Sequence, residues 1–460
     1  MKQTFGKFEL ELLPDPIVSG QTIIPRTTED MARLLRGTLH FALDKDDNLY
    51  LYEDGVYVPA EQSIMQCHIA IHNHYKMKWT AHKANEVKRY LTILAPKLVD
   101  RPDSSIINLK NGVYIIKERK FEPHADEFHH WDNLNTIQIP ITYDPGATCP
   151  QIMEFMSEVF PGGQDLLVDI IGMCMSSFTS NHKAIVLLGE GNNGKSAYLY
   201  CLRAAVGREN VSSTSIHKLA DLNERFANND IVGKLVNATD DVAQGKILDT
   251  SNIKSIISGN QIRVEGKFRT PTTYVPFCKL IFAANHRLES NDESVGYARR
   301  IMHIPFAQTF ALNPAKEKEL HTIFNDSGEM SGLFNEITKR LSDTLERGLR
   351  IPEEVMEFVD NYDPIPDAAI KWLKANVSES PEGRVPIHPF NVVYNLNATW
   401  GMERSDIIYR YLKHLFKGIS KGKCRIDGGR VNSYMGIGVS EDVRLWMSRV
   451  QEGKVVEEEG

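Results

Sequence analysis

The sequence predicts a multidomain α/β protein: a central, mostly parallel sheet, a mixed α+β N-terminal domain, and a C-terminal domain of helices with a β-ribbon. Three observations predict it. From residue 184 onward, short apolar runs (AIVLL, KLVNAT, KLIFAA) alternate with helical stretches and end in polar residues, as strands buried on both faces by crossover helices do. A glycine-rich loop joins the first of these runs to a helix. Segments bearing Pro and Gly or paired prolines, TYDPGATCP (142–150) and DNYDPIPD (360–367), punctuate the chain on either side. Domains are therefore expected at 1–150, 151–360 and 365–460.

A chain of 460 residues is too long for one ordinary core. Its 42% apolar and 25% charged residues are those of a globular protein. A net charge of −7 excludes a polycation, so any nucleic acid must be met by local basic surfaces. The six cysteines (Cys67, Cys149, Cys174, Cys201, Cys278, Cys424) form no Cys-x-x-Cys pair, which argues against a zinc ribbon or disulfide framework and fits a reducing cytoplasm. The N-terminus lacks the apolar core of a signal peptide, and no run of about 18 apolar residues predicts a membrane span.

Along the first region, NLYLYEDGVYVP (48–59) reads as two strands around a Glu-Asp-Gly turn, and SIINLKNGVYIIKERKFEPH (105–124) as a second hairpin turning at Lys110-Asn111-Gly112. Residues 61–99 between them read as helical. PQIMEFMSEVF and QDLLVDIIGMCMSSF read as helices, as does 311–361. The neighbours Cys67, His68, His72 and His74 lack a second ligand pair of matching spacing, so no metal is expected there. His124, His129 and His130 read as loop surface.

The apolar run Ile185–Leu188 leads into Gly189-Glu190-Gly191-Asn192-Asn193-Gly194-Lys195-Ser196, which matches G-x-x-x-x-G-K-[ST] ahead of a helix. Glycines let successive backbone N–H groups wrap a phosphate, and the helix N-terminus adds a favourable dipole. Lys195 is expected to reach the β- and γ-phosphates of ATP and Ser196 to ligate Mg²⁺. Some forty residues on, Lys234–Asp241 reads as a strand ending in two carboxylates. We assign Asp240 to the metal and Asp241 to polarising the attacking water. Lys279–Asn285 is a further strand, whose Asn285 is placed to orient that water. Arg299 and Arg300 precede one more strand, where an arginine supplied to a neighbouring copy stabilises charge on the γ-phosphate.

In this order, GEGNNGKS, KLVNATDD, the segment 253–285 and YARRIMHIPF resemble the superfamily-3 helicases, and within them the phage, plasmid and poxvirus helicase–primase branch. INLKNGVY and ITYDPGATCPQIMEFMSEVFP are similar to the helical region preceding the ATPase in that branch. The resemblance spans roughly residues 40–310. It implies an AAA+ ATPase core, a homo-hexameric ring, single-stranded and forked DNA as partners, and 3′→5′ movement. It also gives 252–275 a hairpin projecting into the ring channel. The residues themselves alternate as a hairpin would, with Lys267, Phe268 and Arg269 near its tip, two cations and an aromatic suited to a DNA backbone and a base face. Relatives carry a primase–polymerase domain ahead of this region. Residues 1–150 are read as holding no Asp-x-Asp metal pair, so priming falls to a separate primase or polymerase, or to a part of the protein outside this chain.

In the last region Ser405 is expected to cap a helix over 406–419 with Ile407, Ile408, Tyr411, Leu412 and Leu415 on its apolar face and Arg410, Lys413 and Lys417 opposite. Residues 420–439 follow as two strands around Asp427-Gly428-Gly429, flanked by Lys421, Lys423, Arg425 and Arg430. Helices followed by a basic ribbon predict a winged-helix-like fold that meets duplex DNA. Three functions fit these motifs. The first is a ring helicase of phage or mobile-element replication. The second is an origin-binding initiator whose ATPase controls assembly. The third, a small-molecule P-loop kinase, leaves the arginine pair, the hairpin and the last domain without a role.

Overall fold

The computed structural model describes residues 27–60, 80–124, 130–179, 182–352, 367–398 and 405–452. Within these spans residues 190, 222, 225, 241, 243–246, 267–269, 286–287, 289, 291, 293–296, 298–299, 417 and 427–428 are excepted. Ahead of residue 27 it describes the backbone of two small hairpins, Lys2–Phe5 (β1) with Phe8–Glu11 (β2) and Ile17–Val18 (β3) with Gln21–Thr22 (β4). The chain divides into two compact units, Met1–Val355 and Met356–Gly460.

In the first unit, helix Thr28–Thr38 (α1) starts at a reciprocal cap: the Asp30 amide donates to Thr27 Oγ1 at 3.1 Å and the Thr27 amide to the Asp30 carboxylate at 3.0 Å. It shares a core with strands Phe41–Leu43 (β5) and Leu49–Glu53 (β6) and helix Ala81–Leu94 (α2), built on Met31, Leu35, Leu51, Val87 and Leu91. β6 pairs antiparallel with Val56–Pro59 (β7) through Asp54 (φ 48°) and Gly55 (φ 90°), two successive left-handed residues that make the tight turn expected from Glu-Asp-Gly. Strands Ile106–Leu109 (β8) and Gly112–Ile115 (β9) form the second expected hairpin, with Lys110 and Asn111 between the paired Leu109 and Gly112. A third strand, Lys120–Pro123 (β10), adds to β9. The helical reading of 61–99 is met over α2. Residues 95–99 depart from it, since the Leu43 amide donates to the Pro96 carbonyl at 2.8 Å and the Leu98 amide to the Leu43 carbonyl at 2.7 Å, a parallel bridge alongside the end of β5. Residues 61–79, with Cys67, His68, His72 and His74, lie outside the described residues, as do Asp126–Glu127 and His129.

Helices Pro150–Val159 (α3) and Gln164–Cys174 (α4) lead to strand Ala184–Leu188 (β11) and helix Lys195–Val206 (α5). Then come Val211–Ser212 (β12), Ile216–Ala220 (α6), Val236–Thr239 (β13) and Ser251–Ser258 (α7). A hairpin, Ile262–Val264 (β14) with Thr272–Tyr274 (β15), precedes Lys279–Ala284 (β16) and Ile301–Pro305 (β17). Helices Pro314–Ile323 (α8) and Ser327–Arg347 (α9) complete the unit. β12, β13, β16, β11 and β17 form one parallel sheet in that order. Every residue of β11 and β16 is buried, which explains their unbroken apolar runs. One face packs on α6 and α7 through Val186, Phe282, Leu219, Ile253 and Ile257.

The Pro/Gly-bearing 142–150 segment is pinned along α9. Ser331 Oγ takes the Asp144 amide at 2.8 Å, and the Asn335 side-chain amide donates to the Asp144 and Ala147 carbonyls at 2.9 Å. A Cβ on Gly332 would stand 2.1 Å from the Thr148 carbonyl carbon, so only glycine admits this approach. Among the described residues, no helix is long and apolar enough to cross a membrane.

The second unit runs Asp367–Asn376 (α10), Val377–Pro386 (β18), Ile387–Leu396 (α11), Ser405–Leu415 (α12), Ser420–Ile426 (β19), Gly429–Val439 (β20) and Glu441–Gln451 (α13). Its antiparallel sheet has the order β18-β20-β19. The core is built from Leu373, Phe390, Tyr394, Ile408, Tyr411, Leu412 and Tyr434. Three of the five apolar positions expected on α12 are therefore buried, and Leu415 packs at their border. Of DNYDPIPD, only Asp367 is described, and it opens α10 rather than a linker.

Candidate nucleotide-binding site

Because the five strands are parallel, their ends make two distinct edges. At the carboxyl edge, β11 runs through Gly189 into α5, and Gly194 (φ 85°) caps that helix in the left-handed region. Asn192 is left-handed as well (φ 60°). Such consecutive turns of sign aim backbone N–H groups to one side. Gly189 has no room for a side chain: a Cβ there would lie 2.1 Å from Asn193 Nδ2 and 2.4 Å from the Phe306 carbonyl oxygen. At Gly194 a Cβ would lie 2.5 Å from Val159. Gly191 is different, with open space where its side chain would be. Glu190 lies outside the described residues.

Lys195 is folded into this cradle. Its Nζ donates to the Gly189 carbonyl at 2.6 Å and to Asn193 Oδ1 at 2.8 Å, and the residue is only 7% exposed. Asn193 in turn donates to the Phe306 carbonyl at 3.0 Å, tying the loop to the chain that leaves β17. Ser196, on the first turn of α5, is exposed. Gly189, Asn192, Asn193, Gly194, Lys195 and Ser196 are thus brought together on one turn of chain. The loop fits a triphosphate: Gly191 leaves open space at its tip, an ammonium is held among exchangeable acceptors, and Ser196 is exposed at the helix start.

Asp240 and Asn285 end β13 and β16 at this same edge. Asp240 is engaged: Arg203 of α5 holds it in a two-pronged pair at 3.0 and 3.1 Å, and donates also to the Ala238 carbonyl at 2.9 Å. Arg203 stands roughly 10 Å beyond Ser196 along the helix. The structure therefore sets Asp240 on Arg203, not on Ser196. Asn285 is exposed. Asp241 lies outside the described residues. Sequence reading missed Arg203, since a helix position two turns past the loop carries no motif.

The amino edge is built differently. Arg300 sits there, its backbone carbonyl accepting from Ala184 at 2.8 Å, and its guanidinium donates to Ser258 Oγ at 3.1 and 3.2 Å. The five residues of β11 separate the edges by about 13 Å, so Arg300 does not share a site with Lys195 in one chain. Arg299 lies outside the described residues. The N-terminal region is fastened at the same edge: Arg101 donates to the Ser177 carbonyl at 2.5 Å and Ser177 Oγ to the Pro102 carbonyl at 2.7 Å. Lys279, 7% exposed, donates to the Ser176 carbonyl. Burial lowers its pKa to about 8, against an opposing pull from the thiols of Cys174 and Cys278. Cys174 is itself pushed up to about 12 by burial, and Cys201 and Cys278 higher.

The β14–β15 hairpin leaves the sheet here too, pairing Ile262 with Tyr274 and Val264 with Thr272. Its expected tip residues Lys267, Phe268 and Arg269 lie outside the described residues. In the second unit, Lys421, Lys423 and Arg425 are exposed on β19 while the intervening Cys424 is buried, and Arg430 is exposed on β20. Lys421 Nζ stands 4.4 Å over the Tyr409 ring of α12, where Lys413 is also exposed. Lys417 and the turn 427–428 lie outside the described residues. In the N-terminal region an Asp-x-Asp spacing occurs at Asp44-Lys45-Asp46. It is a turn: Asp44 Oδ1 accepts the amides of Asp46 and Asn48, each at 2.8 Å, which leaves it a structural cap. Among the described residues, no three His, Cys, Asp or Glu side chains are grouped to hold a metal.

Residues 187–300 match a family of unknown function (DUF5906), and residues 26–161 match a family described as D5 N terminal like. Among solved structures, the A form apo structure of the NrS-1 C terminal region is 13% identical, with a TM-score of 0.44, covering 88% of this chain and 97% of that one. The apo structure of NrS-1 C terminal region (305–718) is 11% identical, with a TM-score of 0.42, covering 88% and 98%. The match over 26–161 lies upstream of the phosphate loop, and the match over 187–300 begins in β11.

Proposed function

We propose that the chain is an ATP-hydrolysing ring DNA helicase of phage or mobile-element replication, with nucleotide held between neighbouring copies. One observation carries this reading: the phosphate loop and Arg300 stand on opposite edges of one parallel sheet, so a complete site needs a second chain. The strand order β12-β13-β16-β11-β17, with the loop after β11 and Asn285 after the adjacent β16, supports an AAA+ P-loop core of superfamily-3 type. The hairpin ahead of β16 supports a channel-facing element, with Lys267, Phe268 and Arg269 meeting single-stranded DNA.

In this reading Lys195 and the loop amides bind the β- and γ-phosphates, and the water is oriented by Asn285 and an acidic neighbour, Asp240 or Asp241. Arg299 or Arg300 of the adjacent copy stabilises charge on the γ-phosphate. Mg²⁺ suits Ser196 and one carboxylate, a sparse set typical of an ion that also rides on substrate phosphates. It would supply neutralisation of phosphate charge. For Asp240 to serve, its carboxylate must exchange Arg203 for the ion.

The test is a forked-duplex unwinding assay with tails of both polarities. ATPase stimulated by single-stranded DNA, with unwinding from a 3′ tail, is expected. A protein that binds one duplex sequence tightly and leaves forks intact is the second reading, an origin-binding initiator. The exposed Lys421, Lys423, Arg425 and Arg430 ribbon beside α12 favours that reading, because a helix with a basic wing suits duplex DNA.

A further inference from the structure

We propose that Phe310, with Leu312 beside it, is the platform on which the base of the bound nucleotide stacks, and that it gives the site a preference for purine triphosphates. The inference rests on the reading of 189–196 as a triphosphate loop.

The direction in which a nucleotide must lie follows from the sheet order. β16 and β13, which carry Asn285 and Asp240, lie on one flank of β11, and β17 lies on the other. The terminal phosphate has to face the flank that holds the water-orienting and acidic groups. The nucleoside end then leaves the loop over the β17 flank. On that flank the chain does not turn away after β17 but returns across the loop. Phe306 N donates to the Leu188 carbonyl at 2.7 Å, Asn193 donates to the Phe306 carbonyl at 3.0 Å, and Phe310 N donates to the Asn192 carbonyl at 2.7 Å. The last of these bonds fixes the Phe310 backbone directly to a residue of the loop.

The Phe310 ring lies alongside the start of α5, with Cε2 3.9 Å from the point a Gly194 side chain would occupy. It is 37% exposed, and Leu312 is 82% exposed. With 37% of the residue exposed, the ring keeps apolar surface open beside the polar cradle. A flat heterocycle is the ligand part that covers this surface, and a purine offers the larger stacking face. The platform is apolar, so it selects ring size and does not read hydrogen-bonding edges.

The full chain and its Phe310→Ala and Phe310→Trp variants are titrated calorimetrically with ATP, CTP and inorganic tripolyphosphate. The native chain is expected to bind ATP more tightly than CTP or tripolyphosphate. Phe310→Ala should weaken ATP roughly 5- to 100-fold, erase the margin over CTP and leave tripolyphosphate unchanged, while Phe310→Trp retains ATP. Equal loss for ATP and tripolyphosphate in Phe310→Ala overturns the platform, because the residue would then act through the loop. Unchanged ATP affinity overturns it too, as does a native chain that binds ATP no better than tripolyphosphate. A native chain that binds none of the three ligands fails at the earlier step: the triphosphate reading of the loop falls, and the platform with it.

Discussion

Lys195 at the carboxyl edge of the central sheet and Lys279 at its amino edge are equally buried, each 7% exposed. Their partners separate them. Lys195 lies among Gly189 and Asn193 in a loop where Gly189 and Gly194 are kept bare by close approach, and the Gly189 carbonyl and Asn193 Oδ1 are acceptors that a phosphate can replace. Lys279 is tied to the Ser176 carbonyl among buried thiols, and its ammonium is so poorly solvated that its pKa falls to about 8. Burial of a charge therefore does not mark a site. A chemical edge is recognised by exchangeable partners around the charge, and a structural edge by partners that cannot leave.

The sharpest way to break this contrast is at the arginines. If the amino edge serves a neighbour's carboxyl edge, Arg299→Ala combined with Arg300→Ala should lower hydrolysis about 10³-fold or more while nucleotide still binds. Mixing these chains with Lys195→Ala chains should restore part of the turnover, since some interfaces then combine an intact loop with intact arginines. Turnover that stays flat across mixing ratios would confine each site to a single chain.

Gly189→Ala tests whether the cradle depends on its close approach. The added methyl meets Asn193 and the Phe306 carbonyl, and overpacking of about 1–3 kcal/mol should weaken ATP roughly 5- to 150-fold in equilibrium binding, with the circular dichroism spectrum unchanged. The same change at Gly191, where the space is open, should leave affinity within about twofold. A smaller effect belongs to Arg203. Asp240 is half exposed in this pair, so Arg203→Gln should lower the Mg²⁺ concentration for half-maximal hydrolysis about two- to fivefold. An unaltered Mg²⁺ curve with a lower Tm would make the pair a brace between α5 and β13 and nothing more.

The smallest effect is expected at the structural edge. With its folded pKa lowered to about 8 from 10.5, Lys279 is neutral in the folded chain and protonated in the unfolded chain between those values. The unfolded state then binds more protons, so the native chain gains stability as pH rises through that window. Below it the charged ammonium is a burden. Lys279→Met should raise Tm by about 2–4 °C at pH 7, and scanning calorimetry from pH 7 to 10 should show the advantage shrinking. An advantage that widens with pH would mean that the ammonium stabilises the sheet.

Much of the fold was legible because parallel strands covered on both faces need unbroken apolar runs, and AIVLL and KLIFAA are such runs. The loop was legible because phosphate chemistry fixes spacing over eight consecutive residues. What escaped depends on contacts between distant residues. Arg203 meets Asp240 across 37 positions, and nothing local to either marks the pair. Asn237, fully buried, holds Ser212 and Thr214 through both ends of its amide, yet reads in sequence as one polar residue in a strand. The Pro/Gly-bearing 142–150 segment looked like a break, because local composition reports backbone freedom and cannot report that α9 fastens it. The Asp44 turn shows the converse: a spacing that metal sites use is satisfied by the segment's own amides.

The buried thiols have a practical consequence. Cys149, Cys174, Cys201, Cys278 and Cys424 are all inaccessible in the folded chain, and four of them hold their protons far above neutral pH. A maleimide can reach them only when the surrounding elements part. Mass spectrometry of each labelled peptide over time would therefore clock how often α3, α4, α5, β16 and the last sheet open, with no reporter having to be introduced into those elements.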